Sequence, residues 1–436
     1  MHLILVSAQH HPSHGGIGAY VWELIHAAGE AGWRIELITR PSAMLRRAPL
    51  HAIHEITTQD MMPQFQKSVA ALRRIERIRP YRYGLWSLAV AKKLMELDSH
   101  PDAIECVDCQ AEGFVSITSA AVRERFESAR FIVSAHMPMW LNEQLAGHNS
   151  SRFGRFIYHE WERTAVSRAD GVIAPSKKLL ERLGPHAKSI ALPPPMRAVQ
   201  ACSPAGNPII ALIGAVQPQK GVHVWARSLN RVLLSRPKAT AVLIGPDTPT
   251  APDGLSMAAH VQRLIDPRCI DRFRWIGAQP HERVMQIVND AALMVVPSAF
   301  ESLSYAAAEA IMRGRPVVVS EQVGLAEHVP GVVTVPCDDA DAMADAQLAV
   351  LADLSAAHDR ALDLRAALIR ACDPQRHMER RAQFINSVSP VARSAANGDE
   401  LDAIERMTIF LRDIEQSIAD PNDSASAELP ETTLAA

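Results

Sequence analysis

Short, wholly apolar runs alternate along the chain with longer stretches in which apolar residues recur every third or fourth position. HLILVSA at the start, WRIELIT, AIECVD, RFIVSA and GVIAP form one series of such runs; NPIIALIG, TAVLIG, FRWIG, ALMVV, PVVV and VVTV form a second. Apolar runs without polar alternation suit strands buried on both faces, and the intervening helix-period stretches suit helices laid over them. The pattern predicts an α/β chain built on parallel, doubly wound sheets.

The two series are separated by LPPPM, Leu192 to Met196, where three consecutive prolines exclude helix interior and central strand. Two Rossmann-like domains are therefore expected, at residues 1–192 and 207–390, joined by a linker at 193–206. Such a pair faces each other across a cleft suited to a small molecule. The pattern changes again over residues 391–436, where 3 Lys and Arg stand against 10 Asp and Glu. One amphipathic helix is expected there from Asp399 to Ala419, with Leu401, Ile404, Leu411, Ile414 and Ile418 at helical spacing and disorder from Asp420. Packing onto the body is the simpler reading of that helix; contact with a protein partner is the other.

Composition adds bounds rather than chemistry. With 436 residues, 21% charged and 48% apolar, the chain fits a soluble protein of two domains. The apolar start is too short for a signal peptide, and no stretch reaches the length of a membrane span, so a cytoplasmic location is expected. The six cysteines are scattered and read as reduced thiols; Cys106 and Cys109 form a CVDC, but no second pair completes a zinc site, and no metal is expected. Basic residues are neither dense nor interleaved with aromatics, which excludes nucleic-acid binding. The cluster RRIERIRPYR at 73–82 would suit an anionic membrane face, although a solvated helix face explains it more simply.

Candidate chemistry lies at the carboxyl ends of the predicted strands, where open α/β sheets bind ligands. PSAFESLSYAAAEAIMRGRPVVVS, Pro297 to Ser320, reads as strand end, loop, helix and strand, with Glu301 in the loop and Glu309 about two turns along the helix. Taken alone, this spacing favours a solvated loop carboxylate and an outer-face helix carboxylate. Lys220 and Gly221 follow a strand at the predicted start of a helix, where a cation, close backbone approach and the positive helix end coincide. Gly15 and Gly16 hold the corresponding place in the first domain, without matching a dinucleotide fingerprint. DDAD, Asp338 to Asp341, precedes a long helix and reads as an N-cap cluster, not a metal site.

Several of these segments together resemble one family, in its order. GGIGAYVWEL, SAHMP with His136, ERTAVSRADGVIAPSKKLLERL, GAVQPQKGV and FESLSYAAAEAIMRGRPVV are similar to the motifs of the retaining glycosyltransferases of the GT-B fold, family 4, over residues 1 to about 390. The resemblance implies transfer of a hexose from a nucleoside diphosphate sugar, UDP- or GDP-linked, to a glycan, lipid-linked or small-molecule hydroxyl, with retention and without a metal or other cofactor. It implies donor binding by Gly16, Lys220, Gly221, Leu303, Ser304 and Glu309. Glu309 would take the ribose hydroxyls, Glu301 would sit against the donor sugar, and His136 would lie beside the reacting carbon. Taken alone, His136 reads as a core histidine bonded to backbone.

The chain departs from the family pattern at three places. Ala215 stands where the phosphate loop often has an arginine, Leu303 replaces an aromatic, and Ser304 replaces a glycine. One expected cation is thus absent, which keeps two alternatives in view: a catalytically degenerate member that binds a nucleotide sugar or a partner enzyme, and a nucleotide-sugar epimerase on the same architecture.

Overall fold

The computed structural model describes residues 1–10, 15–61, 79–146, 153–186, 188–390 and 402–419. Two parallel sheets carry the chain. The first contains β1 (His2–Val6), β2 (Arg34–Thr39), β3 (Ala52–Glu55), β4 (Ala103–Val107), β5 (Arg130–Ser134), β6 (Gly171–Ala174) and β7 (Lys188–Ala191), in the spatial order β3-β2-β1-β4-β5-β6-β7. The second contains β8 (Ile209–Ile213), β9 (Thr240–Ile244), β10 (Phe273–Trp275), β11 (Leu293–Val296), β12 (Val317–Ser320) and β13 (Val333–Val335), ordered β10-β9-β8-β11-β12-β13. Both are the expected doubly wound type. Each reverses its winding direction once, between β1 and β4 in the first sheet and between β8 and β11 in the second. Loops leaving the carboxyl ends of adjacent strands diverge at such a reversal and leave a crevice.

Strands β1, β4, β11 and β12 are almost wholly buried, in keeping with helices on both sheet faces. Strands β3 and β7 were not expected from the apolar pattern. Both are sheet edges only half shielded by the body, so neither carries a continuous apolar run.

Two helices begin at the crevice. Gly16–Glu30 buries Tyr20, Val21, Leu24, Ile25, Ala27 and Ala28, a helical stripe that lies on the first sheet. Tyr305–Met312 buries Ala307, Ala308, Ala310, Ile311 and Met312. Its alanines allow close approach to β11 and β12, while Ile311 and Met312 contribute roughly 1.5–3 kcal/mol each by leaving water. Gly314, at φ +72°, ends this helix.

Residues 193–206 carry neither helix nor strand. After the second sheet the helices Ala340–Ala352 and Leu354–Ala371 cover it, and Asp339 caps the first of these by accepting from the Ala342 N–H at 2.8 Å. The helix Pro374–Ser387 then returns to the first sheet. Its Phe384 and Ile385 join the core formed by Leu3, Ala103, Ile132 and Ile173.

The last helix, Ala403–Ala419, packs Ala403, Met407 and Leu411 onto the core of the first half, beside the helix Arg79–Glu96. Asp402 fixes its start by accepting from Ser119 Oγ and the Ala120 N–H, each at 2.7 Å. Leu401, the side chains of Ile414 and Ile418, residues 73–78 of the basic cluster and the segment from Asp420 lie outside the described residues. Among the described residues no helix is long and apolar enough to cross a membrane.

Candidate active site

Loops from the two switch points, together with the segment that follows β5, enclose a cavity of about 480 Å3 between the sheets. Gly15, Gly16, Ile17, His136 and Met137 line it from the first half, and Gly214, Ala215, Lys220, Glu301, Leu303, Ser304, Tyr305 and Glu309 from the second. The predicted residues Gly16, His136, Lys220, Glu301, Leu303, Ser304 and Glu309 thus converge on one space.

Gly221 is the exception. It caps the helix Val222–Ser235 at φ +66°, and a Cβ placed on it would stand 2.0 Å from the Pro297 carbonyl oxygen. The close approach that the structure shows at this glycine is to the neighbouring strand end. Part of the first glycine-rich loop, residues 11–14, lies outside the described residues.

On the second sheet's side the loops are tied to one another. Ala299 N–H donates to the Gln219 carbonyl at 2.8 Å, and the Gln219 side-chain amide donates to the Phe300 carbonyl. Lys220 Nζ meets Glu301 Oε1 at 2.5 Å, and Ser298 Oγ donates to the same oxygen at 3.0 Å. The carboxylate therefore faces the cavity already held by one cation and one hydroxyl. Glu309 is less well served. Burial pushes its carboxyl above the ordinary range, opposed by His281 at 4.0 Å and by Arg313. A ligand that brings hydroxyl donors would satisfy it.

Ser304 occupies a backbone conformation, φ +81° and ψ 93°, that side chains rarely adopt, while its Oγ accepts from the Ala307 N–H at 3.4 Å as a helix cap. Strain of this kind costs about 1–3 kcal/mol, whereas exchanging a serine cap for glycine costs only a few tenths. Ser304→Gly is expected to raise stability by about 1 kcal/mol, seen as a higher urea midpoint with an unchanged slope. A lower midpoint would show that the cap outweighs the strain.

On the first sheet's side His136 is buried, with its ring 4.2 Å from that of Tyr20. Burial, helped by the charge of Arg381, lowers its pKa to about 3, so it is neutral near pH 7. Its Nε2 is buried and has no partner among the described residues. A neutral imidazole with a free nitrogen on a cavity can hydrogen-bond a sugar hydroxyl.

The segment carrying His136 is braced by buried carboxyls whose importance was not visible in the sequence. Asp108 accepts from the His136 N–H at 3.0 Å. Glu162 accepts from the N–H groups of Gln110, Met139 and Trp140 at 2.9–3.1 Å. Burial pushes Asp108 up to about 7 and Glu162 up to about 8, against the effect of these N–H donors. The folded chain then holds protons that the unfolded chain releases near pH 4. This contribution to stability is complete below that pH and is lost as pH rises through about 7 to 8. Unfolding free energy from urea titrations is expected to fall between about pH 4 and pH 8, by up to about 1.4 kcal/mol per pH unit for each titrating carboxyl, and Glu162→Gln should flatten the profile. A free energy that rises over this range would contradict the assignment.

Other residues on the cavity were also missed. Gln217, Gln219 and Tyr305 line it from within the segments GAVQPQKGV and FESLSYAAAEAIMRGRPVV without having been singled out there, and Asn142 and His281 line it from outside any of the quoted motifs. Ala215 lines it too, where the resemblance places an arginine. Among the described residues no group of three or more His, Cys, Asp or Glu could hold a metal ion.

Comparison with known proteins agrees with this layout. Residues 15–195 match the family model of the glycosyl transferase 4-like domain, and residues 207–353 match that of glycosyl transferases group 1. A D-inositol 3-phosphate glycosyltransferase of Nocardia farcinica is 30% identical over 191 residues, 38% of this chain and 41% of that protein. An alpha-maltose-1-phosphate synthase of Mycolicibacterium smegmatis is 29% identical over 214 residues, 44% of this chain and 52% of that protein. The chain thus spans about half, or less, of the length of these curated relatives.

Among solved structures, a sucrose-phosphate synthase of Thermosynechococcus elongatus superposes with a TM-score of 0.65 at 19% identity, covering 88% of this chain and 98% of the other. Anabaena HepE in complex with UDP and glucose superposes with a TM-score of 0.60 at 16% identity, covering 88% and 99%. At such identities these two show the fold. Taken with the two family models on either side of the linker, they establish that the chain belongs to the GT-B glycosyltransferases of family 4, group 1.

Proposed function

We propose that the chain transfers a hexose from a nucleoside diphosphate sugar to a hydroxyl of a glycan, lipid-linked or small-molecule acceptor, with retention and without a metal ion. The observation that carries this reading is the convergence of the Lys220–Glu301 pair and Glu309 from one sheet with neutral His136 from the other on a single cavity. Lys220 supplies positive charge to the diphosphate, both while it is bound and as it departs. Glu309 accepts from the ribose hydroxyls, and Glu301 from hydroxyls of the donor sugar. His136 meets the sugar on the acceptor side. The acceptor attacks from the face that the diphosphate leaves, and the departing phosphate oxygen takes the acceptor's proton, so no protein base is required.

Calorimetric titration in EDTA with UDP, GDP and ADP and their sugar conjugates tests the reading, repeated on Glu309→Ala. UDP conjugates come first because a structural neighbour was solved with UDP and glucose. Selective binding by the wild type, weakened at least tenfold in the variant, followed by turnover when acceptors are supplied, is the expected result. Absence of binding to every conjugate would overturn it.

A further inference from the structure

A second cavity, of about 360 Å3, lies away from the first, where the linker meets the two helices that carry the chain back to the first sheet. Its charged lining is one-sided. Arg370 ends the helix Leu354–Ala371, Arg376 and Arg380 lie on the helix Pro374–Ser387, and Glu327 and His328 face them beside Pro193. Three guanidinium groups therefore meet one carboxylate.

That carboxylate is already engaged. Glu327 accepts from the N–H groups of Lys177 and Lys178 at 2.7 and 3.0 Å, and so caps the helix Lys177–Arg182 of the first half. His328 Nε2 is bound to the Pro175 carbonyl at 2.6 Å. Among the described residues no carboxylate comes within ion-pair distance of Arg370, Arg376 or Arg380, and the first two have no side-chain hydrogen bond at all. Among the described residues Arg380 donates to the Ala191 carbonyl alone, at 3.3 Å. Burial and the charge of Arg376 pull its guanidinium below its ordinary pKa.

Like charges gathered in a concavity repel one another and concentrate a counter-ion there. Planar guanidinium forks match phosphate oxygens in pairs. We infer that this cavity is a second ligand site, separate from the donor site, for a small phosphorylated anion. Bound there, the anion would join the end of one helix to the start of the next across the Cys372–Asp373 bend. The chain crosses between its two sheets at that bend, so the ligand would stiffen the connection that sets their relative placement.

The test is calorimetric titration of the full chain with inorganic phosphate and with pyrophosphate, at ionic strength held constant with chloride. Wild type is compared with the double variant Arg370→Gln/Arg376→Gln and with Lys220→Ala. Both arginines are exposed, so the double variant should keep the wild-type thermal midpoint in the absence of ligand. A pyrophosphate-binding phase that persists in Lys220→Ala and weakens at least tenfold in the double variant is expected. Binding by inorganic phosphate as well would indicate that a single phosphate suffices, whereas pyrophosphate alone would indicate a diphosphate or doubly phosphorylated ligand. Identical isotherms in the wild type and the double variant, or loss of all binding in Lys220→Ala, would overturn the inference. It stands or falls independently of turnover in the first cavity.

Discussion

Arg381→Met is expected to destabilise the chain by about 3–5 kcal/mol, the usual cost of leaving one partner of a buried ion pair uncompensated. Arg381 and Glu105 are both 0% exposed. The guanidinium binds the Glu105 carboxylate through Nη1, donates to the Tyr20 hydroxyl at 2.5 Å through Nη2, and approaches His377 Nε2 at 3.3 Å. Glu105 in turn accepts from Tyr20 at 2.9 Å and from Ser134.

Removing the cation leaves a carboxylate on a central strand with hydroxyl donors but no counter-charge. For a unit the size of the first half, residues 1–192, unfolding by itself, the loss corresponds to a fall of roughly 6–20 °C in the first thermal transition. The double variant Arg381→Met/Glu105→Leu should recover most of it, because an apolar pair of similar volume avoids the desolvation of both charges. A single variant within about 1 kcal/mol of wild type, or a double variant no better than the single, would show that the pair does not hold the crossing helix. The consequence reaches the site, since Tyr20, whose hydroxyl accepts from Arg381, also packs its ring against His136.

That network also marks the limit of what the sequence could reveal. Nine of the eleven expected strands lie inside a sheet and are legible because burial on both faces demands apolar runs, while β10 and β13, at the edges of the second sheet, are legible from the short apolar runs FRWIG and VVTV. Strands β3 and β7, half exposed at the sheet edges, make no such demand. Glu301, Glu309, Lys220 and His136 could be picked out because their spacing resembles family motifs, and the switch-point topology explains why they meet.

Arg381 had no such signal. It is one of several arginines in RHMERRAQFI, and only the path of the crossing helix decides which of them is buried. Asp108 and Glu162 were equally silent, since a carboxyl that accepts backbone N–H groups from distant loops leaves no periodic trace. Gly221 shows the opposite case. Its residue type was read as a demand for close approach to a ligand, and the backbone it approaches in the structure is the Pro297 carbonyl, which no local spacing could name.

Lys220→Ala should lower kcat/KM by about 10²–10³-fold, the loss typical when one donor to a developing negative charge is removed. The reasoning rests on the proposed transfer reaction and on how few cations face the cavity. Among the described residues lining it Lys220 is the only lysine or arginine, and Ala215 leaves another position of the same loop uncharged. Folding is not at issue, because the loop stays tied through Gln219 to Ala299 and Phe300. The variant also frees Glu301, whose carboxylate, no longer neutralised at 2.5 Å, would then face the incoming diphosphate. Two effects therefore combine in the single variant: an attractive charge is lost and a repulsive one is uncovered. Lys220→Ala/Glu301→Gln should accordingly bind the nucleoside diphosphate more tightly than Lys220→Ala, while turnover stays low because the sugar contact is weakened. Such coupling between neighbours is what a double-mutant cycle isolates. Kinetics and product binding measured on the four forms would check it. Turnover of Lys220→Ala within threefold of wild type would remove Lys220 from the reaction, and strictly additive binding losses would show that the ion pair has no part in receiving the donor.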